Sequence, residues 1–193
     1  PVNPTGRIYS RDELLRISDI CRDNDVLLIS DEVHADFYFD GTQHTSALSL
    51  PTEYLDNTIV MTAPAKTFNT HGLYSSFHII PSEAKRNKYM REYRDRHMDY
   101  MDMGMIVAAA SYSKCDDYVE GMHLYIAENL MFVRKYLEEN DIGVCVHDFH
   151  ATYLVWLDFR KWNKTSAEIN KLLREKGLSL SDGSQYGFKA DGF

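Results

Sequence analysis

The sequence has 193 residues, of which 44% are hydrophobic and 26% are charged. This composition is typical of a soluble globular protein and excludes a disordered chain. The formal net charge is -8, which argues against nucleic acid or an anionic membrane as a partner, because phosphate groups need a basic face. No apolar stretch approaches the roughly 18 residues of a membrane-spanning helix.

The cysteines Cys21, Cys115 and Cys145 are widely spaced and form no CxxC pair. Such spacing fits neither a disulfide framework nor a zinc ribbon. We therefore predict reduced thiols in a cytoplasmic protein with no metal site.

In the first half of the chain, capping and hydropathy signals predict alternating helices and strands. Ser10 and Glu13 form a capping-box pattern that begins a helix ending near Arg22. Candidate strands occupy residues 26–30, 58–62 and 75–80, and a charged helix is predicted over 82–95. The first run is apolar throughout, which is typical of a strand buried on both faces of a parallel sheet. This alternation favours an α/β layer with a mostly parallel sheet and flanking helices.

In the second half, one long helix precedes smaller elements. Apolar residues recur every three or four positions over 117–139, as in an amphipathic helix. Short strands are predicted over 144–146 and 152–157, and a second capping-box pattern at Thr165 begins a helix that stops at Gly177. The predicted parts are a large α/β domain over 1–116, a connecting helix over 117–140 and a small α+β domain over 141–193.

Two ionisable residues follow predicted strands. Asp31 follows the strand over 26–30, and Lys66 follows the strand over 58–62 after small residues. Ligands bind at the carboxyl ends of strands in such sheets. A partly desolvated lysine becomes a nucleophile toward carbonyls, and a buried carboxylate keeps the pyridine nitrogen of pyridoxal phosphate protonated. The alternative from these residues alone is a salt bridge or two solvated loop charges.

Five short sequence motifs surround Asp31 and Lys66 or lie farther along the chain, and together they resemble those of a known family. They are NPTGR (3–7), SDEVHADF (30–37), APAKTFNTHGL (63–73), TYLVWLDFR (152–160) and GSQYG (183–187). In their order and spacing, the chain resembles the fold type I pyridoxal-phosphate enzymes of the aminotransferase class I and II group. It is most similar to their cystathionine β-lyase branch, the MalY/PatB type. The resemblance implies the carboxyl-terminal part of the large domain and most of the small domain.

The resemblance also implies roles for single residues. Lys66 would form the Schiff base with pyridoxal phosphate and move the substrate's α proton. Asp31 would pair with the pyridine nitrogen, and Asn3 would bind the phenolic oxygen. His34 stands where many relatives have a tyrosine that contacts the same oxygen, and Thr62 is the candidate hydroxyl near the phosphate.

Several positions depart from the family pattern. Leu73 and Tyr74 follow Gly72 where aminotransferases commonly have a phosphate-binding arginine in a GxR pattern, which favours the lyase branch. Other departures are Ala65, His71 and Ala151. The arginine that binds the substrate carboxylate would come after Phe193, and the chain begins at Pro1 without a methionine. We therefore expect a piece of a longer protein that lacks the amino-terminal half and the carboxyl-terminal end of the family fold.

The implied function is a carbon–sulfur β-lyase acting on a sulfur amino acid, with a homodimer as the full-length form. An aminotransferase that uses the same lysine is the first alternative. A catalytically inactive fragment is the second.

For the remaining features, plain structural interpretations compete with functional ones. His44 and His123 are interpreted as surface or loop residues, and His147 with His150 as a pair that lacks a third metal ligand. The tyrosines and methionines between 89 and 105 form either a binding surface or, by default, a core or subunit contact. The arginines Arg91, Arg94 and Arg96 are interpreted as a solvated helix face.

Overall fold

The computed structural model describes residues 1–39, 41–98, 101–147, 149–187 and 189–193. Their helices are α1 Arg11–Asp23, α2 Thr52–Leu55, α3 Pro64–Thr67, α4 Glu83–Asp95, α5 Asp102–Lys114, α6 Asp116–Asn140 and α7 Ser166–Glu175. Their strands are β1 Leu28–Asp31, β2 Thr58–Thr62, β3 Phe77–Ile79, β4 Cys145–Val146 and β5 Leu157–Asp158. Short 3₁₀ turns occupy Ala47–Ser49, Arg160–Trp162 and Gly183–Tyr186. The mixed α/β class predicted from the sequence is confirmed.

The larger described sheet has the order β1-β2-β3. β1 runs parallel to β2, with Asp31 opposite Met61. β2 runs antiparallel to β3, with Val60 opposite Ile79. Because β1 and β2 are parallel, their carboxyl ends lie at the same edge, and this edge bears the segments that follow both strands.

The prediction that the first strand is buried on both faces is wrong. β1 begins at Leu28, two residues later than predicted, and the side chains of Ile29 and Val26 are 55% and 51% exposed. Leu28 and Ser30 are half-buried on the face that also carries buried Val60. An apolar run cannot distinguish these cases, because it does not reveal which of the two faces another element covers.

Helix ends agree well with the capping signals. The Ser10 hydroxyl accepts a hydrogen bond from the Glu13 N–H, and a second capping box at Thr165 begins α7. Gly177 follows α7 with φ +82°, a conformation that glycine adopts at little cost. The helices predicted over 82–95 and 117–139 are confirmed as α4 and α6 within one residue at each end.

α5 had no counterpart in the sequence prediction. Its buried face consists of Gly104, Ala108 and Ser111, so small residues rather than large apolar ones mark the covered side. An added Cβ at Gly104 would lie 2.8 Å from the Tyr74 carbonyl oxygen, so the helix packs closely against that backbone. Larger residues such as Ile106 are exposed instead, which removes the amphipathic signal.

The prediction of a strand over 152–157 is also wrong, because only its last residue, Leu157, lies in a strand. Thr152 is buried with φ +68°, and its N–H donates to the Phe37 carbonyl oxygen at 3.1 Å. Its hydroxyl accepts from the Leu154 N–H at 3.2 Å. The backbone therefore turns toward the loop after β1, and only Leu157 and Asp158 pair with β4.

Two buried clusters lie beside α6 and α7. The first comprises Phe39, Leu130 and Phe149, and joins the loop after β1 to α6. The second comprises Val144, Phe159 and Ile169, and includes residues next to β4, next to β5 and in α7. The division at residues 116 and 140 stays a prediction.

The methionine-rich segment before and within α5 lies largely at the surface. Met98, Met101, Met103 and Met105 are all exposed, so core packing is the wrong interpretation for them. Asp99 and Tyr100 lie outside the described residues. Contact with a partner subunit stays a prediction. Arg91, Arg94 and Arg96 are exposed, which confirms the solvated helix face.

Candidate active site

Lys66 lies in α3, one helical turn that directly follows β2. Its side chain is half-buried between the buried residues Pro64 and Thr67. Within the described part of the chain, no hydrogen bond or ion pair holds its ammonium group. The amine is therefore available to a ligand at the carboxyl edge of the sheet.

His34 connects the predicted site residues to one another. Asn3 Nδ2 lies 3.3 Å from His34 Nε2, and the Tyr153 ring centroid lies 5.5 Å from that of His34. Burial lowers the pKa of His34, and the nearby Lys66 ammonium lowers it further, against the opposing effect of the Asp31 carboxylate. The imidazole is therefore neutral at pH 7.

The hydrogen bond from Asn3 assigns the His34 tautomer. An amide nitrogen only donates, so Nε2 of the neutral ring accepts and the ring proton lies on Nδ1. His34 is 5% exposed, and Nδ1 is buried without a hydrogen-bond partner among the described residues. A buried donor without an acceptor is costly, so this N–H suits a ligand oxygen.

Asp31 ends β1 as predicted, but its carboxylate is exposed rather than buried. One oxygen accepts the Val33 N–H at 3.1 Å. The exposure follows from the uncovered face of β1, which Asp31 shares with Ile29. The second oxygen is accessible to a ligand at the same sheet edge as Lys66.

Thr62 ends β2, and its hydroxyl contacts protein groups. It donates to the Glu32 carbonyl oxygen at 3.4 Å. Burial and the Asp36 carboxylate raise the pKa of Tyr112, while a hydrogen bond with Thr62 acts in the opposite direction. The role of the Thr62 hydroxyl near the cofactor phosphate therefore stays a prediction.

Gly6, in the NPTGR motif, brings the loop of Asn3 against a second segment. It has φ +68°, and an added Cβ would overlap the Phe149 ring and lie 2.8 Å from the Ala151 carbonyl oxygen. The His150 N–H donates to the Gly6 carbonyl oxygen at 3.0 Å. Only glycine permits this approach, which fixes the loop that carries Asn3.

Glu32, next to Asp31, forms a buried polar contact that the sequence did not reveal. Its side chain is 7% exposed, and His44 Nε2 lies 3.1 Å from Oε2. Oε1 accepts the Ala47 N–H at 2.9 Å and the Ser30 hydroxyl at 3.0 Å. His44 is thus a loop residue, one of the two interpretations made from the sequence, but it is only partly exposed because the loop after β1 folds back onto Glu32.

This contact makes stability depend on pH. Burial alone would raise the pKa of Glu32, but His44 and the hydrogen bonds from Ala47 and Ser46 hold it below its ordinary value of 4.5. The folded-state pKa is thus below the unfolded one. The carboxylate adds its stabilisation fully above the ordinary value and loses it as the pH falls through the folded-state value.

We expect His44→Ala to lower the free energy of unfolding by about 1–3 kcal/mol at neutral pH, because it leaves a buried acceptor short of a partner. The difference from the unmodified protein should shrink at an acidic pH below the folded-state pKa of Glu32, which itself lies below 4.5, because the carboxylate is protonated there. Urea unfolding at both pH values measures this, with the exposed His71→Ala as the control. An equal loss at both pH values would contradict the assignment.

Metal and membrane sites have no structural support in the described ranges. No group of three histidine, cysteine, aspartate or glutamate side chains there is placed to bind a metal ion. Between His147 and His150, Asp148 lies outside the described residues. No helix in the described part of the chain is long and apolar enough to cross a membrane.

The donor set at the sheet edge fits pyridoxal phosphate. The cofactor has an aldehyde that reacts with an amine, a pyridine nitrogen that pairs with a carboxylate, and a ring oxygen that accepts hydrogen bonds. Lys66, Asp31 and the Nδ1–H of His34 supply these three groups. The sequence model of the protein family described as aminotransferase class I and II matches residues 1–192.

The chain belongs to the aminotransferase class I and II family. Among curated members, it is 33% identical to cystathionine β-lyase PatB of Bacillus subtilis, over all of this chain and 50% of PatB. It is 31% identical to cystathionine β-lyase of Corynebacterium glutamicum, over 97% of this chain and 50% of that enzyme. The chain thus spans about half the length of these relatives.

A solved family member has the same fold. The crystal structure of cystalysin from Treponema denticola, which contains pyridoxal 5'-phosphate, matches with a TM-score of 0.92 at 30% identity. The match covers 98% of this chain and 49% of cystalysin. The predicted fold, part of a fold type I pyridoxal-phosphate enzyme, is therefore confirmed.

Proposed function

We propose that the whole protein is a pyridoxal-phosphate-dependent carbon–sulfur β-lyase that acts on sulfur amino acids such as cystathionine. The observation that carries the proposal is the donor set at one sheet edge: the exposed Asp31 carboxylate together with the Lys66 amine and the His34 Nδ1–H, neither of which has a partner among the described residues. The similarity to two curated cystathionine β-lyases supports the choice of substrate class.

The residues of this chain would divide the work of holding the cofactor. Lys66 would bond to its aldehyde carbon, and Asp31 would keep a proton on its pyridine nitrogen. Asn3 and His34 would bind its ring oxygen, and Thr62 lies at a strand end where a hydroxyl suits its phosphate. When bound, the cofactor supplies an electron sink for a carbanion at the substrate Cα.

Lys66 is the proposed base for the reaction. Its Nζ would remove the proton from the substrate Cα, the bond between Cβ and sulfur would break with its electron pair leaving on sulfur, and the proton held by Lys66 would pass to that sulfur to give the thiol. Water would then hydrolyse the remaining three-carbon enamine to pyruvate and ammonia. In the alternative, an aminotransferase, Lys66 would also move the Cα proton, but the bond to sulfur would stay intact and the amino group would pass to a 2-oxo acid. Leu73 and Tyr74, at the GxR position, favour the lyase.

The lyase and aminotransferase reactions differ in whether they require a 2-oxo acid as second substrate. A lyase releases thiol and pyruvate from L-cystathionine without a 2-oxo acid, whereas net transamination requires one. We expect the whole protein with pyridoxal phosphate to release both products at equal rates with no 2-oxo acid present. Turnover only after a 2-oxo acid is added would favour the aminotransferase. An active whole protein beside a 193-residue chain without turnover would favour the inactive fragment, and no turnover by the whole protein on any sulfur amino acid would contradict the proposed function.

The resemblance also supports a cytoplasmic homodimer as the full-length form. The exposed methionines at 98, 101, 103 and 105 offer an apolar surface that suits a subunit contact. Sedimentation equilibrium of the whole protein tests the dimer.

A further inference from the structure

Thr67, the residue after Lys66, forms a buried bond to the loop after β1. It is 1% exposed, and its hydroxyl donates to Asp36 Oδ2 at 2.6 Å. Asp36 lies two residues after His34 in sequence. One hydrogen bond to a carboxylate therefore joins the segment that carries Lys66 to the segment that carries His34 and Asp31.

Asp36 is itself held from the other side. Its backbone carbonyl oxygen accepts a hydrogen bond from His123 Nε2 on α6. The His123 ring packs 5.3 Å from the Tyr38 ring and 6.3 Å from the Phe39 ring, measured between centroids. His123 is half-buried in a helix, so its interpretation as a surface or loop residue is wrong. The loop that bears His34 is thereby fixed to a long helix.

α3 packs against α5 through the ring of its C-cap residue Phe68, whose centroid lies 5.1 Å from that of Tyr112, but few hydrogen bonds hold it. It spans four residues and has no side-chain bond at its N-cap, Ala63. A helix of one turn is unstable by itself in water. Among the described residues, the bond from Thr67 to Asp36 is the side-chain hydrogen bond that ties α3 to another segment.

We propose that Thr67 and Asp36 are positioning residues that hold Lys66 at its working distance from Asp31 and His34. The inference rests on the proposed function, because it gives Lys66 a ligand to reach. Rotation of α3 would move the amine while leaving the sheet unchanged. Misplacement of a reacting group by about 1 Å can slow a reaction by up to 10²-fold.

The test compares two buried threonines in the whole protein. Thr67→Val removes the hydroxyl with little change in shape, and Thr67→Ser restores it. Thr58→Val is the matched control, because Thr58 is also 1% exposed and its hydroxyl donates to the Tyr54 carbonyl oxygen at 2.9 Å. Thr58 begins β2, at the end of the strand opposite to Lys66.

The readout is the rate at which added pyridoxal phosphate becomes trapped on Lys66 by borohydride, followed by peptide mapping, together with kcat and KM for L-cystathionine. We expect Thr67→Val to slow attachment and lower kcat by about 10-fold or more. Thr67→Ser should recover most of the loss. Thr58→Val should lower the unfolding midpoint about as much as Thr67→Val does, but it should leave the rate of cofactor attachment unchanged.

Asp36→Ala provides a second route if Thr67→Val does not fold. It should slow attachment to the same extent, and the double variant should be no slower than either single one, because both remove one interaction. Attachment at the unmodified rate in either single variant would overturn the proposal. A wild-type protein that forms no adduct on Lys66 would instead overturn the proposed function, and this inference with it.

Discussion

Lys66→Ala is expected to abolish covalent attachment of pyridoxal phosphate and to lower β-elimination from L-cystathionine by about 10³-fold or more. The side chain has two proposed roles, as the amine that bonds to the cofactor and as the base that moves the Cα proton. No other described lysine lies in α3 or at the carboxyl end of β1 or β2. Borohydride trapping with peptide mapping measures the first role, and thiol release measures the second.

Lys85→Ala is the control for this experiment. Lys85 lies in α4, where its ammonium contacts Asp56 at 3.2 Å. An exposed ion pair of this kind contributes little to stability, so attachment and turnover should stay unchanged. Ordinary turnover in Lys66→Ala would refute the mechanism, whatever the control shows.

Asp31→Ala is expected to separate cofactor attachment from turnover. The cofactor should still become attached to Lys66, because the amine is untouched. Turnover should fall by about 10²–10³-fold, as when one electrostatic contact to developing charge is lost in other enzymes. Asp31 would keep a proton on the pyridine nitrogen of the cofactor, and without that carboxylate the ring would be a weaker electron sink. Comparison of trapped adduct with kcat measures the effect.

Asp117→Ala serves as the matched control, because Asp117 is an exposed carboxylate in the first turn of α6. It should change kcat by less than about twofold, as surface substitutions away from a site usually do. A kcat for Asp31→Ala within the same limit would remove Asp31 from the cofactor site and would leave Lys66 without its proposed partner.

The sequence by itself determined the features that depend on local chemistry. Capping boxes at Ser10 and Thr165 specify helix starts, because the side chain and the backbone groups it satisfies lie within four residues of each other. Five motifs in the family's order predicted the fold. They also made Asn3, Asp31, His34, Thr62 and Lys66 the candidate site residues. In the structure Asn3 contacts His34, and Lys66 and Asp31 lie near enough to shift the pKa of that imidazole.

The tertiary structure decided what depends on partners distant in the chain. Ile29 is exposed although it lies in an apolar run, α5 buries Gly104 rather than its large side chains, and Thr152 turns where a strand was predicted. The contact between His44 and Glu32 and the bond from Thr67 to Asp36 join loops that have no common sequence pattern. Burial and hydrogen bonding depend on which surfaces meet after folding, and a linear pattern does not contain that information.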